Sequence, residues 1–358
     1  MIIRFDSTYK FSTFIVYQID TIRAMNLLNF ADSFPNEDSC KAAFKKHREL
    51  QGVICPKCGS KEHYWLKGKE AYQCKYCKTR QSLLSHTLMH GSHLPFRYWF
   101  ISMHLLTATK KSFSALELQR QLKHKRYEPV WLMMHKLRDV MGQRDDRYEL
   151  NGTVEFDEGF FTTERNTDEP LKRGRGSQRK TKVAVMAESV PVKEVKTKKG
   201  KDRKVGYIKM LVIDDLKAET IDNVVRGNIN KDAVIDSDAS SSYTNLKTIV
   251  KEHRPKVIPK TEVGKVLPYV HISISNAKRM LLDVHHCIAP QYLQNYLNEF
   301  CYKFNRRYFD ENLFDRLLVA CVSYRTGFRY NRKNVAGLET LIITGNKLHS
   351  TTDNNIGH

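Results

Sequence analysis

The chain has 358 residues, and its 60 Lys and Arg exceed its 39 Asp and Glu, which gives a formal net charge of +21. This excess favours a polyanion as partner over a basic or neutral small molecule, and nucleic acid is the first candidate. The length and the 41% hydrophobic content suit roughly two or three folded units. The most apolar early stretch, residues 11–17, is much shorter than the roughly 20 residues of a membrane-spanning helix, so we expect a cytoplasmic protein.

The first 50 residues divide into an irregular and a helical part. Residues 1–24 show no clear period, and Met25 is a candidate for the true start. The segment 38–50 has the spacing of an amphipathic helix, with Asp38 or Ser39 as its predicted cap.

Two Cys-x-x-Cys pairs follow this helix, with fifteen residues between them. The four residues are Cys55, Cys58, Cys74 and Cys77. This spacing is typical of a four-thiolate zinc site, because each pair presents two sulfurs from one tight turn and a short hairpin can join the pairs. The alternatives are two disulfides or four unrelated thiols, but no stretch resembles a secretion signal, and the other four cysteines are scattered without pattern. We therefore predict a structural zinc ribbon, for which the nearby histidines are poor ligand candidates: His63, His86 and His90.

A predominantly helical region is predicted next. Residues 94–108 have helical spacing, with Pro95 in the first turn. Ser114 opens a second helix through a Ser-x-x-Glu capping box, and Pro129 opens a third. The basic turn 123–126 between the last two helices resembles that of a helix-turn-helix motif. Short helices joined by polar turns are common, so both DNA contact and a structural role stay open.

The pattern changes to strands from Gly152. Strands are predicted at residues 153–156, 182–189, 206–213 and 233–235, with a helix at 218–229 before the last strand. This order is that of a mixed α/β domain. A long helical pattern then runs from residue 273 to 307 with a break near 286–290, and the tail after Gly345 is polar.

The segment 171–205 holds thirteen Lys and Arg and three Asp and Glu, a net charge of +10. We interpret it as flexible basic arms that flank one strand. Either a solvated loop or a DNA clamp would explain this composition.

Two aspartates are candidates for a catalytic metal site. Asp157 and Asp238 are each predicted at or just beyond the end of a strand, where they could converge. Such a pair would repel unless a cation lay between the carboxylates, and oxygen ligands suit Mg²⁺ or Mn²⁺. The alternative is that both aspartates only cap helices or turns.

Several segments, taken in this order, resemble bacterial insertion-sequence transposases that carry a zinc ribbon and a ribonuclease H-like catalytic domain. The resemblance covers about residues 25–308. The segments that carry it are 34–40, the ribbon 55–77, Val154-Glu-Phe-Asp-Glu158, Asp238-Ala-Ser-Ser-Ser-Tyr243, 270–279 and 296–307. It implies a DNA transposase that cleaves and transfers strands with Mg or Mn. The implied partners are double-stranded DNA, as element ends and target, and further copies of the same chain on that DNA.

The resemblance also assigns site residues. Asp157 and Asp238 would be the metal-binding pair, and Tyr243 favours Asp238 over Asp236. Asn276 would be the third member, at a position where related transposases often have glutamate.

Lys278 would point toward the DNA phosphate or the metal site, and His271 could position the same strand. If a helix begins at Asn276, Asp283 falls on its face and could supplement the neutral amide. The weaker alternatives are Glu158 and Glu299.

The predicted architecture is therefore an α+β or α/β multidomain chain. Its parts are an N-terminal extension (1–24), a helix plus zinc ribbon (25–92), a helical region (93–150), the catalytic domain (151–310) with its basic insertion, and a C-terminal segment (311–358). A DNA nuclease that never joins ends, and a non-catalytic zinc-ribbon DNA-binding protein, are the alternative functions.

Overall fold

The computed structural model describes residues 25–164, 170, 174, 177–192, 202–257, 266–285, 288–308 and 312–328. The N-terminal extension, the arm at 193–201 and the polar tail lie outside these residues. Among the described helices, none combines the length and the apolar character needed to cross a membrane.

Two helices precede the cysteine pairs: α1 (Leu27–Ser33) and α2 (Glu37–Gln51). The predicted amphipathic helix is confirmed in α2, but its cap is Asn36. The Asn36 side chain accepts a hydrogen bond from the Ser39 N–H, and the Ser39 side chain completes the capping box. The predicted caps Asp38 and Ser39 were wrong because both lie inside the first turn.

The cysteine-rich segment forms a small antiparallel sheet. Its strands are β1 (His63–Leu66), β2 (Ala71–Cys74) and β3 (Arg80–Ser82), in the order β1-β2-β3. Tyr72 of β2 and Leu83, which comes directly after β3, are buried in the main hydrophobic core. The ribbon therefore packs against the rest of the protein.

Three helices follow: α3 (Phe96–Ala108), α4 (Ala115–Leu122) and α5 (Tyr127–Asp145). Ser114 caps α4 as predicted, whereas α5 begins two residues before Pro129. Every residue of α5 is at least half-buried, and the helix packs against a later helix of the chain. DNA contact by the basic turn 123–126 stays a prediction.

A five-stranded mixed sheet forms the centre of the second half. Its strands are β4 (Thr153–Thr162), β5 (Lys180–Pro191), β6 (Arg203–Ile213), β7 (Val234–Asp238) and β8 (Glu252–Lys256). The spatial order is β6-β5-β4-β7-β8; β5 runs antiparallel to its neighbours, and β7 is parallel to β4 and β8. The predicted mixed sheet is confirmed. β8 was not predicted, since it is a polar edge strand that contains Pro255.

Helices cover both faces of this sheet. α6 (Ala218–Asn228) lies on one face, where it shares a core with Val154 and Phe156 of β4. The other face belongs to the main core, to which α7 (Pro268–Val284) and α8 (Leu293–Asn305) contribute.

The main core extends across most of the chain. It joins α1 to α5 with α7, α8 and α9 (Leu313–Ser323), a helix that was not predicted. Gly142 of α5 lies against α8, and a Cβ there would overlap the Asn298 side chain. Arg138 and Glu299 form an ion pair of 2.8 Å inside this core, so Glu299 is a buried salt-bridging acid.

Candidate active site and zinc centre

The four cysteine sulfurs converge at the tip of the ribbon. The Sγ atoms of Cys55 and Cys77 lie 3.4 Å apart, those of Cys58 and Cys74 lie 3.5 Å apart, and all four lie within 4.8 Å of one another. A tetrahedral zinc ion with Zn–S bonds of roughly 2.3 Å fits such a set. The geometry supports structural zinc.

Thr79 adjusts one of these ligands. Cys77 Sγ lies 3.2 Å from the Thr79 hydroxyl oxygen, and hydrogen bonds with the side chain and the backbone of Thr79 lower the pKa of Cys77 to about 6. The thiolate is the form that binds metal, and the lowered pKa favours the thiolate of Cys77 near neutral pH.

The catalytic candidates lie on one face of β4. Side chains alternate along a strand, so Glu155, Asp157, Gly159 and Phe161 all point to the side covered by α7. Asp157 lies inside β4, because the strand continues to Thr162. The prediction that this aspartate follows the strand end was therefore wrong. The glycine and the two adjacent phenylalanines after it interrupt the alternation of polar and apolar residues by which a strand is predicted.

Glu155 fixes the start of α7. Its Oε2 accepts hydrogen bonds from the backbone N–H groups of Tyr269 (2.7 Å) and Val270 (3.0 Å). These amides belong to the first turn of the helix, where no intrahelical acceptor exists. Burial raises the pKa of Glu155 to about 7, although the two amides favour its charged form.

The helix then runs along the face of β4. His271 Nδ1 lies 3.8 Å from Asp157 Oδ2, and Lys278 Nζ lies 5.5 Å from the centre of the Phe161 ring. The separation of these two residues along the chain corresponds to roughly 10 Å along the helix axis. His271 therefore accompanies Asp157, while Lys278 lies further along, where burial lowers its pKa.

Asp238 joins this face through the strand register. Glu155 pairs with Asp236 and Phe156 with Ser237 in the parallel ladder between β4 and β7. Asp157 and Asp238 are the next residues of these two strands, which lie roughly 4.8 Å apart, and their side chains point to the same face. Asp238 Oδ1 also accepts a hydrogen bond from the Ser240 N–H at 3.1 Å.

Tyr243 lies beneath the pair. It is buried, and its hydroxyl donates to Glu158 Oε1 at 2.5 Å. Burial and the charge of Glu158 raise the pKa of Tyr243, with smaller contributions from Asp157 and Asp238. Glu158 therefore points to the opposite face of β4 from Asp157.

Asn276 and Asp283 share a face of α7, as predicted, but α7 begins eight residues before Asn276. Both side chains line a groove together with Arg279 and Met280. Asn276 is rotated by about 140° around the helix from His271, since five residues separate them. The register of β4 and β7 thus brings Asp157 and Asp238 to one face, whereas Asn276 lines the groove. In the part of the chain that the structure describes, the four cysteines are the only group of three or more His, Cys, Asp or Glu donors that converges.

One contributor to the site, Glu155, was missed from the sequence, and the contact of a second, His271, was not predicted. Glu155 was not considered, although the alternation of β4 would have placed it on the Asp157 face once the strand length was known. His271 was proposed for positioning a DNA strand, and its contact with Asp157 depends on the start of α7 at Pro268.

Two family models match the chain. Residues 149–305 match the ISXO2-like transposase domain, and residues 35–80 match the transposase zinc-ribbon domain. Together they cover more than half of the sequence, in the predicted order. The chain therefore carries the two domains of an insertion-sequence transposase with an N-terminal zinc ribbon.

Solved structures of the Mos1 transposase are similar to this transposase in part. The pre-cleavage Mos1 transpososome is 12% identical, with 66% of this chain and 82% of that chain covered and a TM-score of 0.26. The Mos1 paired-end complex with Mn is 11% identical, with 83% and 100% covered and a TM-score of 0.26. No curated protein matches the chain.

Proposed function

We propose that this transposase binds the ends of its DNA element and catalyses divalent-metal-dependent strand cleavage and transfer, with Asp157 and Asp238 as the metal-binding pair. The observation that carries the proposal is the parallel register of β4 and β7, in which these two aspartates follow the last paired residues on one face. Water would be the nucleophile in cleavage, and the freed 3′-hydroxyl would be the nucleophile in strand transfer.

The donor set fits a hard divalent cation. Carboxylate oxygens are the ligands that Mg²⁺ and Mn²⁺ prefer. A bound ion of this kind activates the attacking oxygen and stabilises the leaving oxygen of a phosphodiester. Glu155 would act as a positioning residue, because it holds the N-terminus of α7 from which His271 reaches Asp157.

Two further assignments complete the proposal. Lys278 is a candidate contact for a DNA phosphate, and Asn276 is the third ligand that the resemblance implies. For this role α7 would have to rotate so that the Asn276 side chain faces Asp157, whereas His271 Nδ1 already lies 3.8 Å from Asp157 Oδ2. Variants of Asn276 and His271 distinguish the alternatives.

The partners follow from the reaction. Element ends and target are double-stranded DNA, and two ends must be held together, so we propose a homo-oligomer on DNA. The net charge of +21 supports binding to the phosphate backbone.

The test is cleavage and joining of DNA that carries the element's own ends, with Mg²⁺ or Mn²⁺. We expect Asp157→Ala and Asp238→Ala to bind these ends but to cleave at least about 100-fold more slowly, because the ion supplies several kcal/mol of transition-state stabilisation. Asp232→Ala removes an exposed carboxylate just before β7 and is the matched control. All variants are compared at equal zinc content.

The alternatives predict different outcomes. A nuclease would cleave the ends and never join them to a target. A non-catalytic DNA-binding protein would bind the ends without cleavage in any divalent ion, and either result would overturn the proposed reaction.

A further inference from the structure

A basic and aromatic groove lies between α7, α8 and the loop that joins α3 to α4, and it has a volume of about 830 Å³. Its cationic lining residues are Lys110, Lys111, Arg279, Lys303 and Arg307. Among the described residues that line it, Asp283 is the one acid. The groove contains neither Asp157 nor Asp238, so it is a surface separate from the carboxylate pair.

Two of these cations lie near carboxylates, and three do not. Lys111 lies 3.9 Å from Asp283, and Lys303 lies 3.5 Å from the buried Glu299. In the described part of the chain, no carboxylate forms a salt bridge with the other three, which are Lys110, Arg279 and Arg307. The groove therefore presents unneutralised positive charge to a ligand, and polyanions complement it.

Aromatic rings line the same groove. Phe300 and Phe304 form part of its floor, and Tyr308 lies at one end with 69% of its surface exposed. The guanidinium of Arg307 lies 4.6 Å from the centre of the Tyr308 ring, and Lys204 Nζ lies 5.3 Å from it. An exposed ring close to two cations is a platform for a flat, electron-rich group next to a phosphate.

The surface continues beyond this groove. A neighbouring depression of about 340 Å³ shares Lys110, Lys303 and Arg307 with it and reaches Met25 and Leu313. A chain of phosphates could therefore follow the cations from Tyr308 past Lys110.

We propose that this groove binds a single-stranded segment of DNA, with phosphates along Lys110 and Arg279 and a base stacked on Tyr308. A duplex would present phosphates to the cations but would keep its base faces inside the helix, whereas unpaired bases can stack on exposed rings. The proposal rests on the proposed DNA reaction for its biological meaning, since cleavage of two strands at staggered positions leaves unpaired ends.

The test uses the full chain and a fluorescein-labelled dT12 oligonucleotide, with a blunt 12-base-pair duplex as comparison. Binding is measured by fluorescence anisotropy over a range of salt, without added Mg²⁺ or Mn²⁺. We expect Tyr308→Ala to weaken dT12 binding about tenfold and Tyr308→Phe to retain it, because stacking needs the ring and not the hydroxyl. Duplex binding should change less than about threefold in both variants, since its bases cannot stack on the ring.

The charge variant is Lys110→Gln with Arg279→Gln. In a plot of log K for dT12 against log salt concentration, the magnitude of the slope should fall by about 0.7 for each phosphate that no longer contacts a cation. The matched control is Arg226→Gln with Lys231→Gln, which removes two exposed cations from the α6 end of the sheet.

The proposal is overturned if Tyr308→Ala binds dT12 like the wild type, or if the control pair weakens binding as much as the groove pair. Asp157→Ala should bind dT12 normally. Failure of cleavage with intact dT12 binding would therefore reject the proposed reaction alone, and the reverse result would reject the groove alone.

Discussion

At the scale of single residues, the placement of α7 against Asp157 depends on one hydrogen-bonded anchor. Glu155 lies under the first turn of α7 and accepts two backbone N–H groups there. This contact fixes which residues of the helix face β4, and His271 lies against Asp157. Asn276 faces the basic groove instead.

This geometry leads to a prediction for α7. We expect His271→Ala to slow cleavage about 10- to 100-fold and to raise the Mn²⁺ concentration needed for half-maximal rate, because groups that orient a metal ligand have effects of this size. Asn276→Ala should slow cleavage less than His271→Ala. The measurement is the cleavage rate as a function of Mn²⁺ concentration.

The reverse order would support the assignment from the family resemblance. If Asn276→Ala removes cleavage and shifts the Mn²⁺ dependence while His271→Ala does neither, Asn276 is the third ligand. Ser275→Ala, an exposed neighbour on the same helix, is the control.

At the scale of elements, the zinc ribbon is part of the main core. Tyr72 and Leu83 of the ribbon are buried against the helices. The ribbon itself consists of three short strands and the four cysteines that converge at its tip. A sheet this small is marginal without the metal. Removal of zinc should therefore weaken the packing of the helices as well as the ribbon.

We expect Cys58→Ser to bind less than one zinc ion per chain and to unfold several degrees below the wild type. Cys58 is the exposed member of the set, so the substitution leaves little buried volume empty. Zinc content by mass spectrometry and the thermal unfolding midpoint are the measurements. Cys40→Ala, which changes a buried cysteine outside the set, should keep full zinc content.

An unchanged unfolding midpoint in a zinc-free Cys58→Ser protein would show that the helical core is independent of the ribbon. That outcome would contradict the coupling expected from Tyr72 and Leu83.

At the scale of the whole molecule, one continuous core joins the N-terminal helices to the sheet and to α9. His135 of α5 is completely buried in it, among the rings of Trp131, Tyr292 and Phe328. Burial and the nearby Arg138 charge lower the pKa of His135 well below its usual value of 6.5. The folded state therefore keeps this imidazole neutral in acid.

The sign of the pH dependence follows from linkage. Below pH 6.5 the unfolded chain binds a proton at His135 and the folded chain does not, so the free energy of unfolding falls as the pH falls. We expect this contribution to reach up to about 1.4 kcal/mol per pH unit and to vanish in His135→Phe. Denaturant unfolding at pH 7.5 and 5.5 measures it.

His93→Gln changes an exposed histidine and serves as the control. If the stability of His135→Phe falls as much between these two pH values as that of the wild type, then other groups account for the acid sensitivity.

Much of the architecture was predictable because its signals are local. The two cysteine pairs predicted the zinc ribbon through their spacing, and Ser114 predicted the start of α4 through its capping box. Helical and strand periods predicted most remaining elements. The polar edge strand β8 and helix α9 were not predicted, since packing and strand pairing stabilise them more than local propensity does.

The sequence by itself determined the class of the protein: a basic, zinc-binding chain whose motifs, in their order, are those of an insertion-sequence transposase. Only the tertiary structure decided which side chains meet. Asp157 and Asp238 share a face because β4 and β7 pair in parallel with one particular register. His271 rather than Asn276 contacts Asp157 because Glu155 fixes the first turn of α7. Register and helix rotation are set by contacts between distant segments, and no local pattern encodes them.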